Sequence, residues 1–253
     1  MFVTFATESV YVFLLIFTRM GAAMMFMPGV GEVYVSMRAR LGIALAVAFM
    51  LMPLLRDTLP AVPMTVPGLA LLLLGEATVG VFIGMLGRTL QATLHVAGMV
   101  IAFQNSLASA LLFDPNQGSQ GSVVGNFMTL LGLTMLFTSN LHHLMLTGVV
   151  DSYTLFTPGH MVPLDDFSEF FSQVMMQGFQ VAFKIASPMM VVGLVVYLIS
   201  GILARLMPTM QVFFVIIPAQ LLLSFFIISL TLSAGMYLYL RFFEETFSTF
   251  LQW

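Results

Sequence analysis

The sequence predicts an all-α polytopic membrane protein built of kinked helical hairpins. Of its 253 residues only 8% are charged and 60% are hydrophobic, whereas soluble domains carry about 25% charged residues. Mean hydropathy is +1.04. The apolar residues gather in runs that approach the ~20 residues a helix needs to cross a hydrocarbon core. Short connections join the runs, with no soluble domain, low-complexity tract or clear internal repeat.

Six runs stand out in order: Val10–Met27, Leu41–Leu55, Leu69–Leu86, Val123–Val150, Phe179–Ile202 and Val212–Leu240. Leu94–Phe113 is a seventh, ambiguous one. Met1–Ser9 carries Glu8 and no Lys or Arg, unlike the basic start of a cleaved signal, so the first run is expected to be retained. Arg38 and Arg40 precede the second run, which is short for a full crossing. Pro53, Pro60, Pro63 and Pro67 predict a stiff, non-helical loop after it. Pro188 and Pro218 each remove an intrahelical hydrogen bond and are expected to kink their segments.

Positive charge favours cytoplasmic loops. That puts Arg38, Arg40, Arg88 and Arg205 inside, and the proline-rich loop and the acidic stretch Asp151–Glu169 outside. An odd number of crossings must then separate Arg88 from Asp151. Leu94–Ser122 is therefore expected to dip in without spanning, as a broken hairpin. Within it, Gln104–Ser122 is a polar, Gly- and Pro-containing interruption, whose single acid Asp114 separates two charge-free runs. Non-helical backbone at membrane depth is tolerated where protein buries it or water lines it, so the interruption points to a cavity, a pore or a tight subunit contact.

Arg19, Glu76 and Lys184 lie near the middle of apolar runs. Each costs about 2.5–3.5 kcal/mol at a helix centre, so each needs a partner. Two readings fit: an ion or proton pathway, or polar glue between helices or subunits. Glu76 is the only acid available to Arg19 or Lys184 at similar depth, unless another chain supplies one. The chain has no cysteine, which removes disulfides and thiolate chemistry. His142 and His143 are neighbours, about 100° apart on a helix and poorly placed to share a metal. His95 reads as a packing residue. No catalytic, nucleotide-binding or metal-binding pattern emerges, and the eight Lys and Arg are too scattered for nucleic acid. Gly80 with Gly84, and Gly121 with Gly125, have the four-residue spacing that lets helices approach closely. The 22 methionines suit either a deformable seal or lipid-facing bulk.

The order of these features resembles the FliR family of flagellar type III export-apparatus membrane proteins and their injectisome counterparts. RMGAAMMFMPGVGEVYVSMRARLGIALAVAFMLMP supplies Arg19, Gly21, Pro28, Arg38, Arg40 and Pro53. GEATVGVFIG supplies Gly75, Glu76, Gly80 and Gly84. AGMVIAFQNSLASALLFDP supplies Ala97, Gly98, Gln104, Asp114 and Pro115, and SNLHH, DSY, PGH, IASP and ARLMPTMQVF follow. One departure is Ser106, where many relatives carry Gly.

The resemblance implies a non-enzymatic subunit, without cofactor, of the export gate. It would assemble with FliP and FliQ around a pore for unfolded export substrates. Residues 1–175 would be a FliP-like helical part with a plug loop at 106–122, and residues 176–253 a FliQ-like hairpin. The positions matching the plug are Leu111, Leu112, Phe113, Asp114, Pro115, Gly118 and Gly121. Arg205, Pro208 and Gln211 match the hairpin turn on the entrance side, near where FlhB wraps the gate. Arg19, Glu76 and Lys184 would fix packing. The complex would sit in the bacterial inner membrane, in the flagellar basal body, much of it above the lipid on the periplasmic side. The contrasting class is an ion-coupled membrane carrier, which broken helices and buried charges also suit. Such carriers show paired repeats, and Gln104–Ser122 has no second copy.

Overall fold

The computed structural model describes residues 2–105, 122–160, 163–207 and 212–252, and all regular structure within them is helical. The helices are α1 (Phe2–Phe26), α2 (Met37–Leu55), α3 (Val66–Gln104), α4 (Val123–Thr138), α5 (Leu141–Leu155), α6 (Leu164–Leu206) and α7 (Val212–Leu251). Among the described residues, α1, α2, α3, α6 and α7 are long and apolar enough to cross a membrane, and α4 with α5 form a bent pair.

α2 starts earlier than its apolar run. Ser36 caps it, accepting from the Ala39 N–H at 3.3 Å, so Arg38 and Arg40 stand in its first turn. Arg40 Nη2 donates back to the Glu32 carbonyl at 3.0 Å. With the 3₁₀ turn Arg56–Thr58 the stretch reaches 22 residues, enough to cross. Pro53 stays inside α2. Pro67 sits in the first turn of α3, where a missing N–H costs nothing, and Thr65 Oγ1 accepts from the Gly68 N–H at 3.3 Å. The proline-rich loop is thus confined to residues 59–65.

Three sequence expectations are corrected. First, Leu69–Leu86 and Leu94–Gln104 are parts of one 39-residue helix, α3. Arg88 is an exposed residue within that helix and marks no loop. Arg is a good helix former with a long stem that carries its charge outward, so the helix runs past it. With no loop at Arg88, the charge rule no longer requires a broken hairpin from Leu94, which is helical as far as Gln104; residues 106–121 lie outside the described residues. Second, Val123–Val150 is not one segment: α4 ends at Thr138 and α5 begins at Leu141. Asn140 makes the corner with φ 61°, a left-handed conformation that Asn tolerates better than most residues. Asn140→Val is expected to cost about 1–2 kcal/mol while Asn140→Gly costs little, read as the melting temperature of the detergent-solubilised chain. Third, Asp165, Asp166 and Glu169 are not in a loop but in the first two turns of α6, and Asp151 is in α5. Acids are favoured at a helix N-terminus.

α6 continues through Pro188 and α7 through Pro218, over 43 and 40 residues. At ~1.5 Å per residue, α3, α6 and α7 measure roughly 58, 65 and 60 Å, about twice a ~30 Å hydrocarbon core.

The chain divides into two compact units. The first comprises Met1–Leu90, Phe137–Met175 and Glu244–Trp253. Tyr11, Val12, Leu15 and Ile16 of α1 pack there with Ala48 and Leu55 of α2 and Tyr153 of α5. In the same unit Phe82 stacks on Phe167 at 3.9 Å, and Phe156 meets Phe167 edge-on at 4.9 Å. The second unit comprises Gln91–Leu136 and Met176–Phe243. Close approach at glycines marks its packing. A Cβ on Gly98 would strike the backbone of Gly125 and Val124, and one on Gly178 would lie 2.8 Å from Thr93 Oγ1.

Candidate functional site

Within the first unit, α1 and α3 meet along a seam of small residues. Glu76, Gly80, Gly84 and Gly87 follow one another on α3 at four-, four- and three-residue steps, which keeps them on one face. A Cβ on Gly80 would collide with the Arg19 carbonyl oxygen and lie 2.9 Å from Ala22 Cβ. One on Gly84 would collide with the Ala23 carbonyl oxygen. The missing side chains let the two backbones close up.

At the head of that seam Arg19 and Glu76 form a bidentate pair. Nε donates to Oε2 at 2.7 Å and Nη2 to Oε1 at 2.9 Å. The side chains are 1% and 2% exposed, so almost no water screens them. Arg19 has further partners on α5. Nη1 donates to Ser152 Oγ at 3.0 Å, and Nη2 to the Phe156 carbonyl at 2.9 Å. Phe156 is the C-cap of α5, so Arg19 satisfies one of that helix's orphan carbonyls and places a cation at its negative end. The guanidinium carbon lies 3.9 Å from the centroid of the Tyr153 ring, a cation–π contact. One arginine therefore ties α1, α3 and α5 together.

A cleft of about 870 Å³ opens beside the pair, lined largely by apolar residues such as Leu71, Leu72, Leu155 and Pro158, with Thr157 and His160 among the polar ones. His160 Nδ1 is 2.9 Å from Thr157 Oγ1. Elsewhere in the first unit, the His142 and His143 rings lie 4.0 Å apart, closer than a 100° step suggests, and His142 stacks on Phe137. Among the described residues no three metal-ligating side chains cluster.

The other sequence candidates are dispersed. Lys184 is exposed near the middle of α6, and among the described residues it has no acidic partner. Arg205 is exposed in the last turn of α6. Leu111, Leu112, Phe113, Asp114, Pro115, Gly118 and Gly121 lie outside the described residues, as do Pro208 and Gln211. Gly121 therefore cannot be set against Gly125, whose close neighbours are Gly98 and His95.

The second unit holds a polar cluster that the sequence reading missed. Gln220 Nε2 donates to the Gln104 carbonyl, and Ser224 Oγ donates to Asn105 Oδ1 at 2.8 Å. Asn105, Gln220 and Ser224 are all buried. The available signal was Gln220 and Ser224, a polar pair at four-residue spacing in a helix with no charge from Val212 to Leu240.

Fold and site together define a polytopic helical membrane protein whose buried ion pair finds its partners within the chain. Comparison with known proteins agrees with that class: residues 10–246 match the family described as bacterial export proteins, family 1. The chain is 36% identical over 230 residues to the flagellar biosynthetic protein FliR of Caulobacter vibrioides, covering 90% of this chain and 92% of the relative. It is 29% identical over 224 residues to FliR of Bacillus subtilis, covering 87% and 86%. To FliR of Aquifex aeolicus it is 26% identical over 250 residues, 96% of each chain. The chain belongs to the bacterial export proteins, family 1, the family of FliR.

Proposed function

We infer that this component of the flagellar export apparatus is a non-enzymatic subunit of the type III export gate, forming part of the secretion pore with FliP and FliQ. One observation carries the reading: α3, α6 and α7 are too long for the bilayer to cover. A ~60 Å helix would need a tilt near 60° to fit a ~30 Å core, beyond the 0–40° that spanning helices adopt. Yet exposed apolar side chains run along α6 from Met176 to Leu206, about 45 Å of helix, among them Phe179, Phe183, Leu198 and Ile202, and along α7 from Ile217 to Tyr237. What lipid cannot cover, other subunits must. Lys184, exposed between Phe183 and Val191, fits the same account, with a carboxylate of a neighbouring subunit as its partner.

In this reading residues 1–175 are the FliP-like part and 176–253 the FliQ-like hairpin. The complex sits in the inner membrane with much of its mass on the periplasmic side, and FlhB lies near Arg205–Gln211. Unfolded export substrates pass through the pore, driven by energy supplied elsewhere in the machine. Residues 106–122 close it, with Leu111, Leu112 and Phe113 as bulk, Asp114 and Pro115 following, and Gly118 and Gly121 letting the chain bend. Deleting Gly118–Gly121 is expected to raise passive ion leak through the assembled gate. An unchanged conductance removes the plug assignment.

A further inference from the structure

We propose that Gln104, Asn105, Gln220 and Ser224 form a polar latch that fixes the last turn of α3 against α7, and so sets the register at which the chain enters residues 106–121. The end of a helix leaves carbonyls without intrahelical partners. The Gln104 carbonyl is one of them, and Gln220 fills it from α7. One turn further along α7, the Ser224 hydroxyl lies 2.8 Å from Asn105 Oδ1 and 2.6 Å from the Gln220 carbonyl. The Asn105 N–H still reaches the Ile101 and Ala102 carbonyls, both at 3.2 Å, so the bonded residues belong to the final turn itself. The Gln104 side chain rests against Gly193 of α6, where a Cβ would lie 3.3 Å from Gln104 Cβ.

This cluster is not ordinary core. Asn105 is 0% exposed, and among the described residues its Nδ2 has no partner. A buried donor left unmade costs more than an apolar side chain of similar size would. Polar groups retained at such a cost are best known for fixing one register among several. The far flank is also tied down: Ser122 Oγ accepts from the Gly125 N–H at 3.1 Å, capping α4, and lies 3.5 Å from the Gly98 carbonyl of α3. The latch exists independently of the plug, but its consequence for conductance rests on the plug reading above.

The test uses the full chain in the assembled gate. The chain has no cysteine, so Asn105→Cys with Ser224→Cys gives this chain just those two thiols for a short bifunctional thiol reagent to join. An intrachain crosslink is expected, and its absence overturns the latch. Asn105→Ala and Ser224→Ala are each expected to raise ion leak about fivefold, the population shift that follows loss of one buried hydrogen bond. The double variant should leak no more than the worse single one, because both remove the same bond. Ser224→Thr, which keeps the hydroxyl, should stay near wild type. Additive leaks overturn the latch. So do wild-type leaks in all these variants when deletion of Gly118–Gly121 does leak. If that deletion is silent too, the plug reading falls and the crosslink alone decides the latch.

Discussion

Glu76→Ala is expected to be among the most damaging single substitutions in this chain. It strips Arg19 of two charge-assisted hydrogen bonds in a site where the side chain is 1% exposed. An unpaired charge left buried costs about 3–5 kcal/mol, out of total stabilities of about 5–15 kcal/mol. The melting temperature of the detergent-solubilised chain should fall by roughly 10 °C, and gate assembly and export should fail in cells. The remaining Arg19 partners, Ser152, the Phe156 carbonyl and the Tyr153 ring, are neutral and cannot replace the carboxylate. Arg19→Met combined with Glu76→Leu removes both charges. It should recover much of the loss in melting temperature, since a buried pair exchanged for apolar residues is often tolerated. Two outcomes would sink this account: Glu76→Ala melting and assembling like wild type, or the double variant being worse than the single by a full additive increment.

That pair was legible because an ionised group in an apolar run is expensive wherever it occurs in sequence. Arg19 and Glu76 could be matched by depth and sign alone. Their remaining partners could not. Ser152 lies 133 positions from Arg19 and sits in an unremarkable stretch, while a backbone carbonyl such as that of Phe156 has no sequence signature at all. Lys184 shows the limit of the cost argument. It says that a buried-looking lysine needs a partner, not that the partner is in the same chain.

The helical membrane class was legible for a similarly global reason, since so few charges exclude a water-covered surface. Helix ends were not, because hydropathy reads the part of a helix that avoids water rather than the part that is helical. α3 continues past Arg88, and α6 begins at Leu164, one residue before its two aspartates. Apolar runs therefore understated both. Asn140 fails in the opposite direction. The run from Val123 to Val150 has the composition of one long helix, and the corner depends on a single φ of 61°, which one polar residue does not announce. In the second unit, Gln220 and Ser224 were readable by the same cost reasoning that found Arg19. Amides and hydroxyls are cheaper to bury than charges, and so attract less notice.

Gly80→Ala is expected to destabilise the chain, while Gly42→Ala stabilises it, although both replace a helical glycine by a better helix former. A Cβ at Gly42 meets nothing within 4 Å, so it should show the intrinsic gain of up to about 1 kcal/mol. At Gly80 the added carbon strikes the Arg19 carbonyl oxygen and approaches Ala22 Cβ to 2.9 Å. Backbone cannot swing aside as a side-chain tip can, so α1 and α3 must separate. Overpacking alone costs about 1–3 kcal/mol. Here the separation acts one helical turn from Glu76 and at the backbone of Arg19 itself, so it also lengthens the ion pair. The two effects can be resolved by combination. If the clash works partly through the pair, Gly80→Ala should lower the melting temperature less when Glu76 is already Ala than in the wild-type chain. Equal losses in both backgrounds would mean that the seam and the pair are independent. A gain at Gly80 matching that at Gly42 would mean that α1 and α3 do not touch there. The sign difference between two chemically identical substitutions isolates helix contact from helix propensity, because propensity moves both in the same direction.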